Sequence, residues 1–164
     1  METTWKIALL LQPIIASFII SRLGGNRMDL TWYSKLEKPT LTPPKIVFPI
    51  AWTILYILLG VNAFLMYNTF FNFNRPSIFS SIFLHKYMII YEIQLILNFS
   101  WSIFFFNLKK PWYSLAIVAI MIISTTYLLW ESWNYNKIAF WVLVPYFIWI
   151  CFASYLNFYI AKNN

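Results

Sequence analysis

Long, nearly uncharged segments constrain the fold of this chain more than any other feature. Five segments are long enough for a membrane-spanning helix, which needs roughly 20 apolar residues: residues 5–23, 46–71, 87–108, 112–133 and 138–160. Hydrophobic residues make up 61% of the chain and charged residues only 10%. Because little chain remains outside the segments for a separate core, we predict one all-α integral membrane domain over residues 1–164, a bundle of five transmembrane helices.

Several classes of function find no support in the sequence. His85 and Cys151 are the single histidine and cysteine, and neither has other metal ligands at a suitable spacing, so we predict no metal site and no hydrolase or nucleophile motif. The net charge of +7 is not gathered on a soluble basic face, so we predict no nucleic-acid partner. Glu92 lies about a turn and a half inside the third segment, where we expect it to snorkel or to pair with Lys86 or a nearby tyrosine.

The lysines and arginines are distributed unevenly between the two ends of the predicted bundle. One end collects eight of the twelve, namely Arg22, Arg27, Lys35, Lys38, Lys45, Lys109, Lys110 and Lys162. The other collects Lys6, Arg75, Lys86 and Lys137. Since cytoplasmic loops retain the positive charges, we predict the N-terminus outside and the C-terminus inside. Frequent Ile, Asn and Phe, with more Lys than Arg, favour a bacterial membrane; in a eukaryote we expect the mitochondrial outer membrane.

The first loop differs from the others in length and composition. Residues 24–45 read GGNRMDLTWYSKLEKPTLTPPK. Pro39, Pro43 and Pro44 each fix a backbone angle, and Trp32 and Tyr33 offer apolar anchors. We therefore predict a folded lid on the bundle, with a disordered linker as the alternative.

Aromatic and polar residues recur at helical spacing on three of the predicted helices. The second carries Trp52, Tyr56 and Gly60; the third Gln94, Asn98, Trp101 and Phe105; the fifth Tyr146, Trp149, Ala153 and Asn157. An amide facing lipid would leave its donors and acceptors unpaired, so we expect the amides to point inward. The stripes predict an aromatic cavity, and hydrogen bonding between helices is the alternative interpretation of each single amide.

Three runs carry a resemblance to a known family. WYSKLEKPTLTPPKIVFPIAWTILYILLG resembles the first loop and second helix of the TspO/MBR family, whose members are called translocator proteins, tryptophan-rich sensory proteins or peripheral-type benzodiazepine receptors. QLILNFSWSIFFF is similar to its third helix and VPYFIWICFASYLNFYIAKNN to its fifth. The resemblance extends over essentially the whole chain.

The resemblance implies a five-helix bundle, often a homodimer, with a pocket closed by the first loop. Implied ligands are porphyrins such as protoporphyrin IX and haem-related tetrapyrroles, cholesterol or other lipids, and synthetic benzodiazepine-type compounds. The implied binding positions are Trp52, Asn98, Trp101, Trp149, Ala153 and Leu156. The positions linked in some bacterial members to light- and oxygen-dependent porphyrin breakdown are Trp32 and Trp149.

We therefore predict a receptor- or translocator-like membrane protein that binds porphyrins or similar large apolar ligands in tetrapyrrole regulation or stress sensing. It needs no cofactor, and the porphyrin is ligand or substrate. One alternative is an enzyme that degrades porphyrin photo-oxidatively; the other is a sterol or lipid transporter. Leu41 stands where the family often has Trp, and Phe158 where it has the tyrosine of the loose cholesterol pattern.

Overall fold

The computed structural model describes residues 2–22, 30–71 and 78–164, and every regular element in these residues is helical. The helices are α1 (Glu2–Arg22), α2 (Leu30–Lys35), α3 (Val47–Phe71), α4 (Ile78–Ser102), α5 (Pro111–Tyr135) and α6 (Lys137–Asn163). α4 continues into a π-helical turn, Ile103–Asn107, in which the Leu108 N–H donates to the Ile103 carbonyl at 2.9 Å. The described chain is thus an all-helical protein.

Four of these helices are long and apolar enough to cross a membrane. They contribute the spans Val47–Phe70, Leu84–Asn107, Pro111–Tyr135 and Lys137–Asn163. In the apolar 18-residue stretch that defines each span, between 28% and 44% of the residues are buried inside the bundle, so the remaining apolar residues are at least partly exposed and require lipid rather than water as solvent. α1, predicted as the first span, contributes a shorter apolar stretch, Ile7–Ile20.

The third predicted span, residues 87–108, lies close to the span Leu84–Asn107 of the structure. The helix that carries it, α4, begins earlier, at Ile78. Polar side chains do not end a helix that emerges from a membrane, because the backbone hydrogen bonds continue into the headgroup region. Glu92 lies just over two turns inside the span Leu84–Asn107, slightly deeper than the sequence suggested.

Gly60 allows α1 and α3 to pack closely. A Cβ added at Gly60 would lie 2.1 Å from the Leu10 carbonyl oxygen, so only glycine fits against that backbone. Gly60 was predicted to share the cavity face of Trp52, and the structure turns it toward α1 instead. Eight residues at about 100° each leave an offset of roughly 80°, which is enough to move a residue to the next helix face.

A buried polar cluster joins α3, α4, α5 and α6 far from the lid. The Tyr87 hydroxyl donates to Asn62 Oδ1 at 2.6 Å, and Asn62 Nδ2 donates to the Ala139 carbonyl at 3.0 Å. The Ser132 hydroxyl lies 3.2 Å from the Tyr87 hydroxyl. We call these four residues the polar knot. Because each of the four helices supplies one member, the knot fixes their relative positions.

Candidate functional site

An aromatic cavity of about 510 Å³ lies between the N-terminal half of α3 and the C-terminal end of α4. Ten residues line it: Lys45, Ile46, Phe48, Pro49, Trp52, Tyr56, Asn98, Trp101, Ser102 and Phe106. Four of these, Trp52, Tyr56, Asn98 and Trp101, belong to the predicted ligand-binding set. A volume of this order is typical of sites for drug-sized or cofactor-sized molecules.

Indole rings from two helices form the cavity wall. Trp52 stacks on Tyr56 at 5.6 Å between ring centroids, one turn apart on α3. Trp101 of α4 lies 6.1 Å from Trp52 and stacks at 5.5 Å on Phe105, whose position the π-helical turn sets. The rings support one another, and Trp52, Tyr56 and Trp101 all line the cavity, so the wall suits a flat aromatic ligand.

A hydrogen-bond network supports the polar side of the cavity. The Tyr56 hydroxyl donates to Asn98 Oδ1 at 2.8 Å, and Asn98 Nδ2 donates to the Tyr146 hydroxyl at 3.0 Å. Gln94 Nε2 donates to the same hydroxyl at 2.7 Å, and Ser124 donates to Gln94 Oε1. Gln94 and Tyr146 are fully buried and lie behind the lining rather than in it. They orient Asn98, whose side chain does line the cavity.

Asn157 holds one of the wall indoles in place. The Trp101 indole N–H donates to Asn157 Oδ1 at 2.9 Å, and Asn157 Nδ2 donates to the Pro111 carbonyl at 2.8 Å. Ser114 donates to the same oxygen at 2.9 Å. The amides of residues 94, 98 and 157 all point inward, which confirms the expectation from the cost of burying an amide in lipid. Asn157 acts on the cavity through Trp101 and does not line it.

The described part of the predicted lid, residues 30–45, packs on the aromatic end of α4. Tyr33 is buried, with its ring centroid 5.9 Å from Phe106, and Trp32 lies 5.8 Å from Phe105. Burial raises the pKa of the Tyr33 hydroxyl, which therefore stays neutral. Pro39 is buried, Pro43 half-buried and Pro44 exposed. Residues 24–29 of the predicted lid lie outside the described residues.

Hydrogen bonds with Asn164, at the end of the chain, hold the lid against α6. The Glu37 N–H donates to Asn164 Oδ1 at 2.8 Å, and Asn164 Nδ2 returns a bond to the Glu37 carbonyl at 3.1 Å. Lys38 Nζ donates to the Tyr33 carbonyl at 2.9 Å. Among the described lysines of the first loop, Lys35, Lys38 and Lys45, it is Lys45 that lines the cavity, whereas Lys38 bonds within the lid.

Comparison with known proteins agrees with the resemblance noted from the sequence. The model of the TspO/MBR family matches residues 8–162. This chain belongs to the TspO/MBR family. The Tryptophan-rich protein TspO of Bacillus cereus is 34% identical over 84% of this chain and 83% of its own length. The Tryptophan-rich sensory protein of Cereibacter sphaeroides is 31% identical over 100% of this chain and 95% of its own length. The human Translocator protein is 27% identical over 94% of this chain and 86% of its own length.

The site residues that the TspO/MBR resemblance implied on α6 are not in the cavity lining of this member. The Trp149 ring centroid lies 6.4 Å from that of Trp52, with the two ring planes at 84°. Trp149 lines a separate apolar groove between α3 and α6. Its indole N–H is buried without a partner. Ala153 and Leu156 are buried in the bundle. Trp149 follows Tyr146 by three residues, which turns it roughly 60° away from the inward face.

The two tryptophans predicted to be catalytic are apart in this TspO/MBR protein. Trp32 sits on the lid against Phe105, and Trp149 lies beyond the opposite wall. Between them run the rings of Phe105, Trp101 and Trp52, each in contact with the next. Neither tryptophan is among the lining residues, and Trp149 reaches the lining through its ring contacts with Trp52 and Phe48.

Sequence reasoning did not identify several lining residues. Phe48 lies one turn before Trp52, so the same helical spacing that found Tyr56 would also have found it. Phe106 enters the cavity because the π-helical turn shifts the register after Ser102, and no sequence signal announces that turn. Ile46 and Pro49 mark where the lid joins α3. Among the described residues, no group of three or more potential metal ligands occurs.

Glu92 has a different partner from those proposed. Gln12 Nε2 of α1 donates to both carboxylate oxygens, each at 2.7 Å. The predicted partners, Lys86 and a nearby tyrosine, are not the hydrogen-bond donors. The contact joins residues far apart in the chain, which is why helical spacing could not reveal it. Glu92 lies off the aromatic cavity, because a separation of two residues from Gln94 turns it about 200° around the helix.

Proposed function

We propose that this multi-pass membrane protein is a receptor- or translocator-like protein that binds a porphyrin or a comparably large flat apolar ligand in the aromatic cavity. One arrangement carries the proposal: Trp52 and Trp101, on facing helices and with ring centroids 6.1 Å apart, line a cavity that Lys45 also lines. A tetrapyrrole offers a flat π-system and acidic side groups. The rings and the cation complement both features.

The physical chemistry of the wall favours such a ligand over an aliphatic one. Each stacked aromatic pair adds about 0.5–1.5 kcal/mol beyond the burial of area. A carboxylate on Lys45 forms a charge-assisted hydrogen bond, stronger than a neutral one. Asn98, held by Tyr56 and Tyr146, supplies an orienting group inside an otherwise apolar site. A sterol would gain binding free energy from the burial of apolar area alone.

Titration of the purified chain with protoporphyrin IX in darkness tests the proposal. We expect saturable quenching of tryptophan fluorescence at one site per chain, weakened by Trp101→Ala. Ile123→Ala is the matched control, because Ile123 is 70% exposed on the outward face of α5. Quenching that is not saturable, or equal losses in both variants, would contradict a specific cavity.

We propose that α1 completes a bundle of five transmembrane helices. Its 21 residues extend about 32 Å at 1.5 Å per residue, close to the roughly 30 Å of a hydrocarbon core. The lid, Lys109, Lys110 and the C-terminus would then share the cytoplasmic side of a bacterial membrane. Labelling of single cysteines at positions 75 and 109 in a Cys151→Ser background tests this topology, and the two positions should be labelled from opposite sides of the membrane. We also propose that the protein forms a homodimer.

Photo-oxidative porphyrin degradation is the second candidate function. It is favoured by the contact of Trp149 with the cavity wall through Trp52 and by the row of rings that reaches Trp32. With protoporphyrin IX bound in air, we expect light-dependent loss of porphyrin absorbance that Trp149→Phe and Trp32→Phe slow, while affinity stays within about tenfold. Loss no faster than in an illuminated protein-free control would leave the binding function alone.

A further inference from the structure

A second cavity of about 570 Å³ lies between α1 and α4, away from the aromatic one. The two cavities share no lining residue. On α4 its wall is formed by Ile89, Ile93 and Ile96, which are 57%, 41% and 64% exposed. We call this cavity the lateral groove, because it opens on the apolar surface that faces lipid.

The lateral groove contains a carboxylate about two turns inside the membrane span Leu84–Asn107. Glu92 lines it, together with Leu9 of α1 and with His85 and Tyr67 at its polar end. An ionisable side chain at this depth is costly, and such residues usually mark a ligand or ion site. The contact with Gln12 lowers that cost only in part, because a neutral amide does not balance a negative charge.

The pair formed by Gln12 and Glu92 has more acceptors than donors. The amide nitrogen of Gln12 lies 2.7 Å from each carboxylate oxygen, so the two oxygens share one N–H donor. A carboxylate offers about four acceptor positions, so unfilled ones remain, and the amide carbonyl of Gln12 adds another acceptor. Pro13 has no N–H, so the Leu9 carbonyl on the same groove wall lacks its usual helical donor.

We propose that the lateral groove binds a hydrophobic amine in its protonated form. The ammonium group, with up to three N–H donors and one positive charge, supplies what the carboxylate and the Gln12 carbonyl lack. The apolar body of the amine lies along Ile89, Ile93 and Ile96. The ammonium of a zwitterionic phospholipid stays in the headgroup region and does not reach the depth of Glu92. The proposal does not depend on tetrapyrrole binding.

Calorimetric titration of the full chain in lipid nanodiscs with dodecylamine tests this assignment, with empty nanodiscs as the baseline. We expect saturable binding that Glu92→Gln weakens about tenfold or more, because the neutral amide no longer balances the ammonium. Ile89→Trp should also weaken binding, since the indole fills the groove from an exposed position. That variant keeps the test decisive if Glu92→Gln does not fold.

Two controls separate a charge-specific site from general effects. Glu131→Gln removes another buried acid, on α5 and outside the groove, and should leave dodecylamine binding unchanged. Dodecanol, with the same chain and no charge, should bind wild type and Glu92→Gln equally and weakly. Absence of saturable dodecylamine binding, the same affinity in Glu92→Gln, or dodecanol binding as tightly as dodecylamine would each overturn the proposal. The last result would show a groove filled by lipid chains alone.

Discussion

The two ends of the bundle use the same polar residue types for different purposes. In the polar knot, Asn62, Tyr87 and Ser132 bond to one another and to a backbone carbonyl, and they close the space between four helices. At the lid end, Asn98 and Tyr56 bond to each other beside an open volume. Amides and tyrosines therefore do not mark a ligand site by their presence. What distinguishes the lid end is the open volume, which is lined by the aromatic rings of Phe48, Trp52, Trp101 and Phe106.

This comparison predicts that the polar knot governs stability and the lid end governs affinity. Asn62→Ala should have the largest effect on unfolding, a loss of about 2–3 kcal/mol, because it leaves the Ala139 carbonyl and the Tyr87 hydroxyl short of partners. Denaturant unfolding followed by circular dichroism measures it. Asn134→Ala, an exposed amide on α5, is the control. A comparable loss of protoporphyrin affinity in Asn62→Ala would break the division between the two ends.

The second effect belongs to the cavity wall. Trp101→Ala should weaken protoporphyrin IX binding by about 1–3 kcal/mol, or roughly 5- to 150-fold, through lost stacking on the ligand. Fluorescence or absorbance titration in darkness measures it. Trp130→Ala removes an indole that is 65% exposed on the outward face of α5 and serves as the matched control. Equal affinity in Trp101→Ala and wild type would remove this ring from the site.

A smaller effect should come from the residue that orients the same ring. Asn157→Leu keeps the approximate volume but removes the acceptor of the Trp101 indole N–H, so the ring loses its fixed orientation. We expect affinity to fall by about 0.5–1.5 kcal/mol, in the range of one hydrogen bond. In Trp101→Phe, which has no indole N–H, Asn157→Leu should cause little further loss. Additive losses in the double variant would show that Asn157 acts by another route.

The sequence predicted those features that depend on one segment at a time. Long apolar segments must be helical in lipid, and a buried amide must point inward, so the helices and the orientation of Gln94, Asn98 and Asn157 followed from elementary costs. Trp52, Tyr56 and Trp101 were likewise placed by spacing alone. These expectations hold because lipid leaves the backbone and the amides few alternatives.

Features that depend on contacts between helices, or on small angular offsets, were not predictable. Gly60 of α3 and Trp149 of α6 each lie on the helix face next to the one predicted, because angular offsets of roughly 60° to 80° decide which neighbouring helix a side chain contacts. Phe106 depends on a π-helical turn with no sequence signal. The bond from Gln12 to Glu92 depends on how α1 packs on the bundle, and the close approach of Leu10 to Gly60 that belongs to this packing cannot be seen in either segment alone.

Lys45 provides the smallest predicted effect and the sharpest test of how the lid end selects its ligand. It lines the cavity mouth but is exposed, so a pair with a ligand carboxylate is worth only about 0.2–1 kcal/mol and weakens with salt. Lys45→Gln should therefore lower the affinity for protoporphyrin IX slightly and leave that for its dimethyl ester, which has no free carboxylates, unchanged. Lys35→Gln, an exposed lysine of α2 outside the lining, should alter neither. If Lys45→Gln weakened both ligands equally, the side chain would act through its aliphatic stem, and selection at this end would rest on the aromatic wall alone.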